Sequence, residues 1–594
     1  MVRRALALAA LALAVAPAAA SAHARLEATS PERGATVPTE PGSVVFRFNE
    51  PIEATFGAVR VFDARGERVD DGRLVRPGGD QRRAGAALKR GLADGTYTAT
   101  YRVVSADGHP VSGGFTFSIG HPGAPPARSV ADLVGGGDAG AVTEVAFGAA
   151  KALGYLAIAL ALGGLGFLAV VWRPALAQVA GGGADWAAAA RAFARRARTL
   201  LTAAVLLGLV SGLAALVLLG ATAAGVSFWS ALDPTIVREV ASTHAGTGWV
   251  VRLAAWATLG AALALRGARG AVPVLRPVPL GATGHVLGPA PSPAALVALA
   301  VPALAVAVAP ALAGHASTQH PVWALFGLDV AHVLAMSAWL GGLVLLLACV
   351  PVATRALAAP ERSRLLAATL VRFSPLALGA VGVLLATGVT QALLEVRSLD
   401  AFTSTAYGRA VLIKAGLLAV LIALGAVNRQ RVVPALRRVA GAGEAPGGAG
   451  RLLRRTLRAE VGLVLVVLGV TGALTGYPPP AATAAGPQSV SKRMGPLELE
   501  LTVDPARVGP NALHVYLFRA RDGAPFAGTK ELTVRLSQAA KGIGPIDAHL
   551  HRAGPGHFLA DAVALSPGGT WEIEVTDRVS DFDEYATKAS VRVR

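Results

Sequence analysis

Imidazole dominates the chemistry open to this sequence. Its 594 residues include twelve histidines, one cysteine and three methionines. Cys349 lies inside an apolar run, which excludes an intrachain disulfide and a paired-cysteine metal motif. Met1, Met336 and Met494 are too scattered to build a soft-metal segment. No nucleophile–base set and no phosphate-binding motif stands out, so neither an enzyme nor an ATP-driven pump is expected. Ten of the histidines fall into three groups. His23 and Asp107-Gly108-His109 lie near the start. His244, His315, His320 and His332 lie in or beside apolar runs, and His514, His549, His551 and His557 lie near the end.

The first group depends on processing. Arg3 and Arg4 precede the apolar run Ala5–Val15, and Ala20-Ser21-Ala22 offers small residues for cleavage, the pattern of a signal peptide over 1–22. Cleavage there leaves His23 as the first residue, with an amine and an imidazole on one residue. Asp107 and His109 add a carboxylate and a second imidazole. That nitrogen and oxygen set suits Cu(II), the tightest binder of the divalent series. Read alone, Asp107-Gly108-His109 is equally an ordinary turn.

These residues need a scaffold. Between 23 and 120 short alternating runs such as Ser43–Phe48, Ala58–Phe62 and Tyr97–Val104 are separated by turn signals such as Asp71-Gly72 and Asp94-Gly95. Such spacing predicts a β-sandwich. The start His23-Ala24-Arg25-Leu26, the segment Ser30–Ala35, Phe48-Asn49-Glu50-Pro51-Ile52 and above all Tyr101–Gly113 resemble the CopC family of periplasmic copper-binding proteins. The resemblance implies that His23, Asp107 and His109 bind a copper ion (Cu2+). Some relatives carry a methionine-rich Cu(I) site, which this domain, lacking methionine, is not expected to have.

Hydrophobic residues make up 53% of the chain and charged ones only 15%, against about 25% charge in ordinary soluble domains. After a Gly/Pro/Ala-rich linker at 121–143, eight apolar runs follow near 148–172, 199–221, 246–265, 294–313, 328–350, 373–393, 409–427 and 459–476. Each is about long enough to cross ~30 Å of hydrocarbon. A net charge of +18 would ordinarily suggest nucleic acid. Here the arginines cluster in alternate short loops, as Arg191–Arg198 and Arg429–Arg458 do, so the expected partner is a lipid bilayer and not nucleic acid. The bias places both ends outside, in the plasma (inner) membrane. His244, His315, His320 and His332 then gather at the outer mouth as a copper route; the other reading makes them plain interfacial histidines. Lys414 is placed to pair with Glu395 or to reach the interface. The stretches Asp329–Gly342, Val371–Ala377, Thr387–Thr390 and Tyr407–Lys414 resemble the CopD family of copper-resistance membrane proteins, best from 328 to 430. That resemblance implies copper import.

A linker at 477–492 leads to a second set of short strands over 493–594, including Leu497–Val503, Leu513–Phe518, Lys530–Leu536 and Trp571–Val575. A second β-sandwich is expected, similar to the YtkA type. His549 and His551 are expected to alternate on one strand and to form, with His557, a weaker candidate metal site; surface or structural roles are the competing reading. The expected architecture is thus multi-domain: a β-sandwich, an eight-span α-helical bundle over 144–476 and a second β-sandwich. The expected function is copper uptake and homeostasis. The alternative is a sensor or assembly factor that delivers copper to extracytoplasmic copper proteins without transport.

Overall fold

The computed structural model of the chain describes residues 24–593 apart from 25, 33–34, 55–56, 106–109, 122–132, 134–138, 182, 269–292, 314–321, 397–398, 478–487, 505 and 522–524. The expected leader and the expected ligands His23, Asp107, His109, His315 and His320 lie outside the described residues, as does the side chain of His244.

In the N-terminal region, β1 (Leu26–Ser30), β3 (Ser43–Phe48), β7 (Arg83–Leu88) and β6 (Asp70–Val75) form one sheet in that order. The second sheet orders β2 (Thr36–Val37), β9 (Pro110–Ile119), β8 (Gly95–Ser105) and β4 (Ile52–Glu53), and β5 (Val59–Phe62) also pairs with β8. Alternation decides which side chains meet between the sheets. Val44, Phe46 and Phe48 of β3 turn inward, and so do Tyr97, Ala99, Tyr101 and Val103 of β8. Phe46 and Phe48 pack on Tyr101 with ring centroids 4.9 and 5.2 Å apart. A fully buried Phe contributes about 1.5–3 kcal/mol, so this aromatic cluster is the main tie between the sheets. The buried Asp70 is held by Arg68 at 2.7 Å and by the Val61 N–H at 2.8 Å.

Seven helices among the described residues are long and apolar enough to cross a membrane. They are α1 (Ala141–Val179), α2 (Ala184–Ala224), α3 (His244–Ala268), α5 (Val322–Thr354), α6 (Ala359–Val396), α7 (Ala406–Gly441) and α8 (Gly447–Leu474). Between α3 and α5 lies α4 (Pro293–Ala313), whose apolar stretch Val297–Leu312 is shorter. Most helices overrun the apolar runs. Arg191–Arg198, read above as loop, sit on α2, and Arg429–Arg438 sit on α7. Alanine, leucine and arginine are good helix formers, so the helix continues after the apolar run stops.

Close backbone approach holds α1 to α5. The chain is π-helical at Ala159–Gly163, and there Gly163 lies against the Ser337 carbonyl and Gly341. Small residues permit this approach in a bilayer. Trp172 of α1 stacks on Phe193 of α2 at 3.6 Å and 10°.

The C-terminal region also has two sheets around one core. The first orders β10 (Gln488–Met494), β11 (Leu497–Asp504), β12 (Gly509–Arg519), β16 (His557–Leu565) and β15 (His551–Gly554). The second orders β14 (Ile543–Ala548), β13 (Glu531–Gln538), β17 (Gly569–Arg578) and β18 (Glu584–Val593). Leu499, Leu501, Val515, Leu517, Trp571, Ile573 and Val591 are among the fully buried residues between them.

Candidate metal centres

Described residues flank the expected first-domain ligands. Leu26 pairs with Phe48 at the start of β1, and Ala24, the neighbour of His23, is buried in the core. Ser105, the last described residue before Ala106–His109, pairs with Ile52. Phe48 and Ile52 are the two ends of one short link, anchored when the Phe48 N–H donates to the Arg82 carbonyl at 2.8 Å and the Ile52 N–H to the Gln81 carbonyl at 2.9 Å. Arg76 adds a hydrogen bond to the Ile52 carbonyl at 3.1 Å. The residues that flank His23 and those that flank Asp107 and His109 therefore meet at one anchored rim. His121 stands at the far end of the β8–β9 hairpin, where Gly95 pairs with Ile119, and its Nδ1 lies 3.2 Å from Asp94.

In the membrane region, His332 of α5 faces Thr387 of α6, with Nδ1 to Oγ1 at 2.8 Å. The Thr387 hydroxyl also donates to the Val383 carbonyl at 2.8 Å. The direction of the His332–Thr387 bond follows the imidazole tautomer: with the hydrogen on Nδ1, Thr387 accepts it and Nε2 keeps a lone pair able to bind metal. Lys414 of α7 interacts electrostatically with His332, Glu395 and Asp329, so the expected Lys414–Glu395 relation includes Asp329 as well. Asp329 acts in turn on Tyr155 of α1, and Tyr155 interacts with the buried Arg252 of α3.

Arg252 escaped the sequence reading, although a single arginine between Trp249 and Trp256 in an apolar run was the available signal. Its guanidinium lies 4.8 Å from the Trp249 ring centre. Toward the other end of α7, Asn428 donates to Glu460 at 2.6 Å and accepts from Thr456 at 2.6 Å, which satisfies a carboxyl group only 2% exposed.

The C-terminal histidines divide differently from expectation. His549 and His551 do not share a strand: β14 ends at Ala548 in one sheet, β15 begins at His551 in the other, and His549 is exposed in the crossing. His514 takes its place. It lies on the outward face of β12, with Nδ1 3.2 Å from His557 Nε2. Tyr516 stacks on His557 at 4.2 Å and 12°. Burial first, then the charges of His514 and His551, push the His557 pKa down to about 3. Among the described residues, no group of three or more His, Cys, Asp or Glu stands ready to hold a metal.

Comparison with known proteins fits this arrangement. Residues 26–120 match the CopC domain and residues 367–474 match Copper resistance protein D. The second match runs from α6 through α8, further along the chain than the 328–430 core expected above, and leaves out the Asp329–Gly342 stretch. The copper transport protein CutJ of Bacillus subtilis (strain 168) is 27% identical over 95% of this chain and 94% of its own length. Protein YobA of Escherichia coli (strain K12) is 32% identical over 16% of this chain and 78% of its own. Copper resistance protein D of Pseudomonas syringae pv. tomato is 27% identical over 46% of this chain and 81% of its own.

Through its first domain the chain belongs to the CopC family. It is a multi-domain protein that joins a CopC-like domain to a CopD-like helical region linked to copper resistance and transport. With its long apolar helices it is a multi-pass membrane protein whose terminal β-domains are extracytoplasmic.

Proposed function

We propose that the chain captures Cu(II) outside the membrane with its first domain and passes it to the helical region for import. The observation that carries this reading is the anchored Phe48–Ile52 link, on which the flanks of His23 and of Asp107–His109 converge. The proposed site joins the processed His23 amine and imidazole, the Asp107 carboxylate and the His109 imidazole. An amine of pKa ~8 must lose its proton to bind, and Cu(II) competes well for it. Gly108 suits a tight path between two ligands. With its Nε2 lone pair, His332 is the proposed first acceptor in the membrane; His244, His315 and His320 complete the route at the outer mouth. The proposed bundle has eight spans, α4 included, which returns the chain to the outer side. The C-terminal pair of sheets is proposed as a YtkA-like β-sandwich. Two relatives have copper in their names, one matching 95% of the chain, and so both regions, and the other 46%.

Electron paramagnetic resonance of the processed full chain, loaded with one Cu(II), tests the capture site. One residue added before His23, or His109→Ala, should each weaken Cu(II) binding by more than about 10–100-fold, the cost of disturbing even an outer-shell partner. His121→Ala, at the far end of the hairpin, should change nothing. Unchanged spectra and affinity in both altered chains would refute the site.

A further inference from the structure

The outward face of the five-stranded C-terminal sheet presents a second set of nitrogen donors that the route above does not use. Pairing fixes their places. Tyr516 lies opposite His557, while His514 and His551 both lie opposite Leu559, on either side of it. The core-facing neighbours are Leu513, Val515, Leu517, Phe558 and Ala560, so alternation turns His514, Tyr516 and His557 to the outer face. His514 is only 6% exposed, and its ring lies within 14° of parallel to that of His557. Tyr516 lies nearly parallel to both rings, at 6.2 and 4.2 Å between centroids.

We propose that His514 and His557 are the primary ligands of a second Cu(II) site, completed on binding by His551 and water. The separation of 3.2 Å between His514 Nδ1 and His557 Nε2 suits this role. Two imidazole nitrogens ~2.0–2.1 Å from one ion stand this far apart when they subtend about 100°. Without metal, one ring donates its N–H to the other across this gap; on binding, that hydrogen moves to the donor ring's other nitrogen and the ion takes the two freed lone pairs. His551 is exposed on the edge strand and acts electrostatically on His557, which makes it the nearest third imidazole. The named donors are all nitrogen, which favours a divalent late transition metal over Cu(I). Only the choice of copper over other such metals rests on the function proposed above.

Copper bound per chain, measured on the detergent-purified full chain with Cu(II) alone, tests the site in four forms: unaltered, His109→Ala, His557→Gln and the double variant. His557→Gln should remove one copper whether or not His109 is present, and His514→Gln should do the same. Pulsed electron paramagnetic resonance of the His109→Ala chain should show two or more imidazole nitrogens on the remaining ion, a signature that does not depend on how the variants fold. If the His109→Ala chain binds the same copper with and without His557→Gln, or shows fewer than two imidazoles, the pair is a hydrogen bond and not a site. Failure of the first-domain site reads out separately, as no loss on His109→Ala.

Discussion

At the scale of single residues, one neighbour decides what each histidine can do. Thr387 meets His332 at Nδ1, while its hydroxyl also lies 2.8 Å from the Val383 carbonyl. The His514–His557 pair has a consequence for pH. In the unfolded chain His557 titrates near ~6.5, and in the fold near about 3. Between those values the unfolded state binds more protons, so stability rises with pH across the window. The contribution is fully present above ~6.5 and is lost as pH falls toward 3. Burial raises the Asp577 carboxyl to about 6, and this works in the opposite direction. Between ~3.9 and 6 the fold binds the extra proton, so that contribution is lost as pH rises. Each group exchanges about one proton, so between ~3.9 and 6 the two slopes largely cancel, and removing the Asp577 carboxyl leaves the His557 slope alone. Hydrogen exchange at the β12 amides of the Asp577→Asn chain, corrected for intrinsic rate, should show protection rising from pH 4 to 6.5, and adding His557→Gln should flatten the rise. The same slope in both chains would contradict this account. His557 was singled out in the sequence as part of a weaker candidate site, but its pairing with His514 was not legible there. His514 is 43 residues away, and only the β12–β16 register brings the two together.

At the scale of elements, the apolar runs located the helices well and their ends poorly. Hydropathy marks where lipid begins, whereas helix ends depend on capping and propensity. Asp233 before the short outer helix Pro234–Ala241 is a cap of this kind, accepting from the Thr235 N–H at 2.8 Å. Nor could the run lengths reveal the close packing of α1 on α5, which depends on a π-helical turn. A Cβ at Gly163 would meet the Ser337 carbonyl, whereas one at Gly166 would meet nothing within 4 Å. Gly163→Ala should therefore force the two helices apart and cost about 1–3 kcal/mol, the usual range for overpacking. Gly166→Ala should be neutral or slightly stabilising, because alanine is the better helix former. Thermal unfolding of the two variants in detergent checks the contrast, and equal midpoints would show that the α1–α5 contact does not limit stability.

At the scale of the whole molecule, the proposed function gives covalent fusion the main part. It holds the proposed capture domain and the helical region on one chain, so the proposed transfer would proceed at an effective concentration that separate proteins would not reach. The order of the parts was legible because each has its own period: alternation in the β-domains and long apolar runs between them. The arginine bias supplied the orientation. The C-terminal β-domain was the least legible part, because β14 and β15 are short and their sequence does not alternate cleanly. The measurement that tests the central claim most directly is uptake of labelled copper into sealed vesicles holding the processed full chain with its terminal domains outside. The account predicts accumulation that falls several-fold on His109→Ala at limiting Cu(II) and is abolished by His332→Ala, with both variants inserted in the membrane. Copper that binds to the outer domains but never enters the lumen would contradict it, and would favour a protein that senses copper or hands it on outside the membrane.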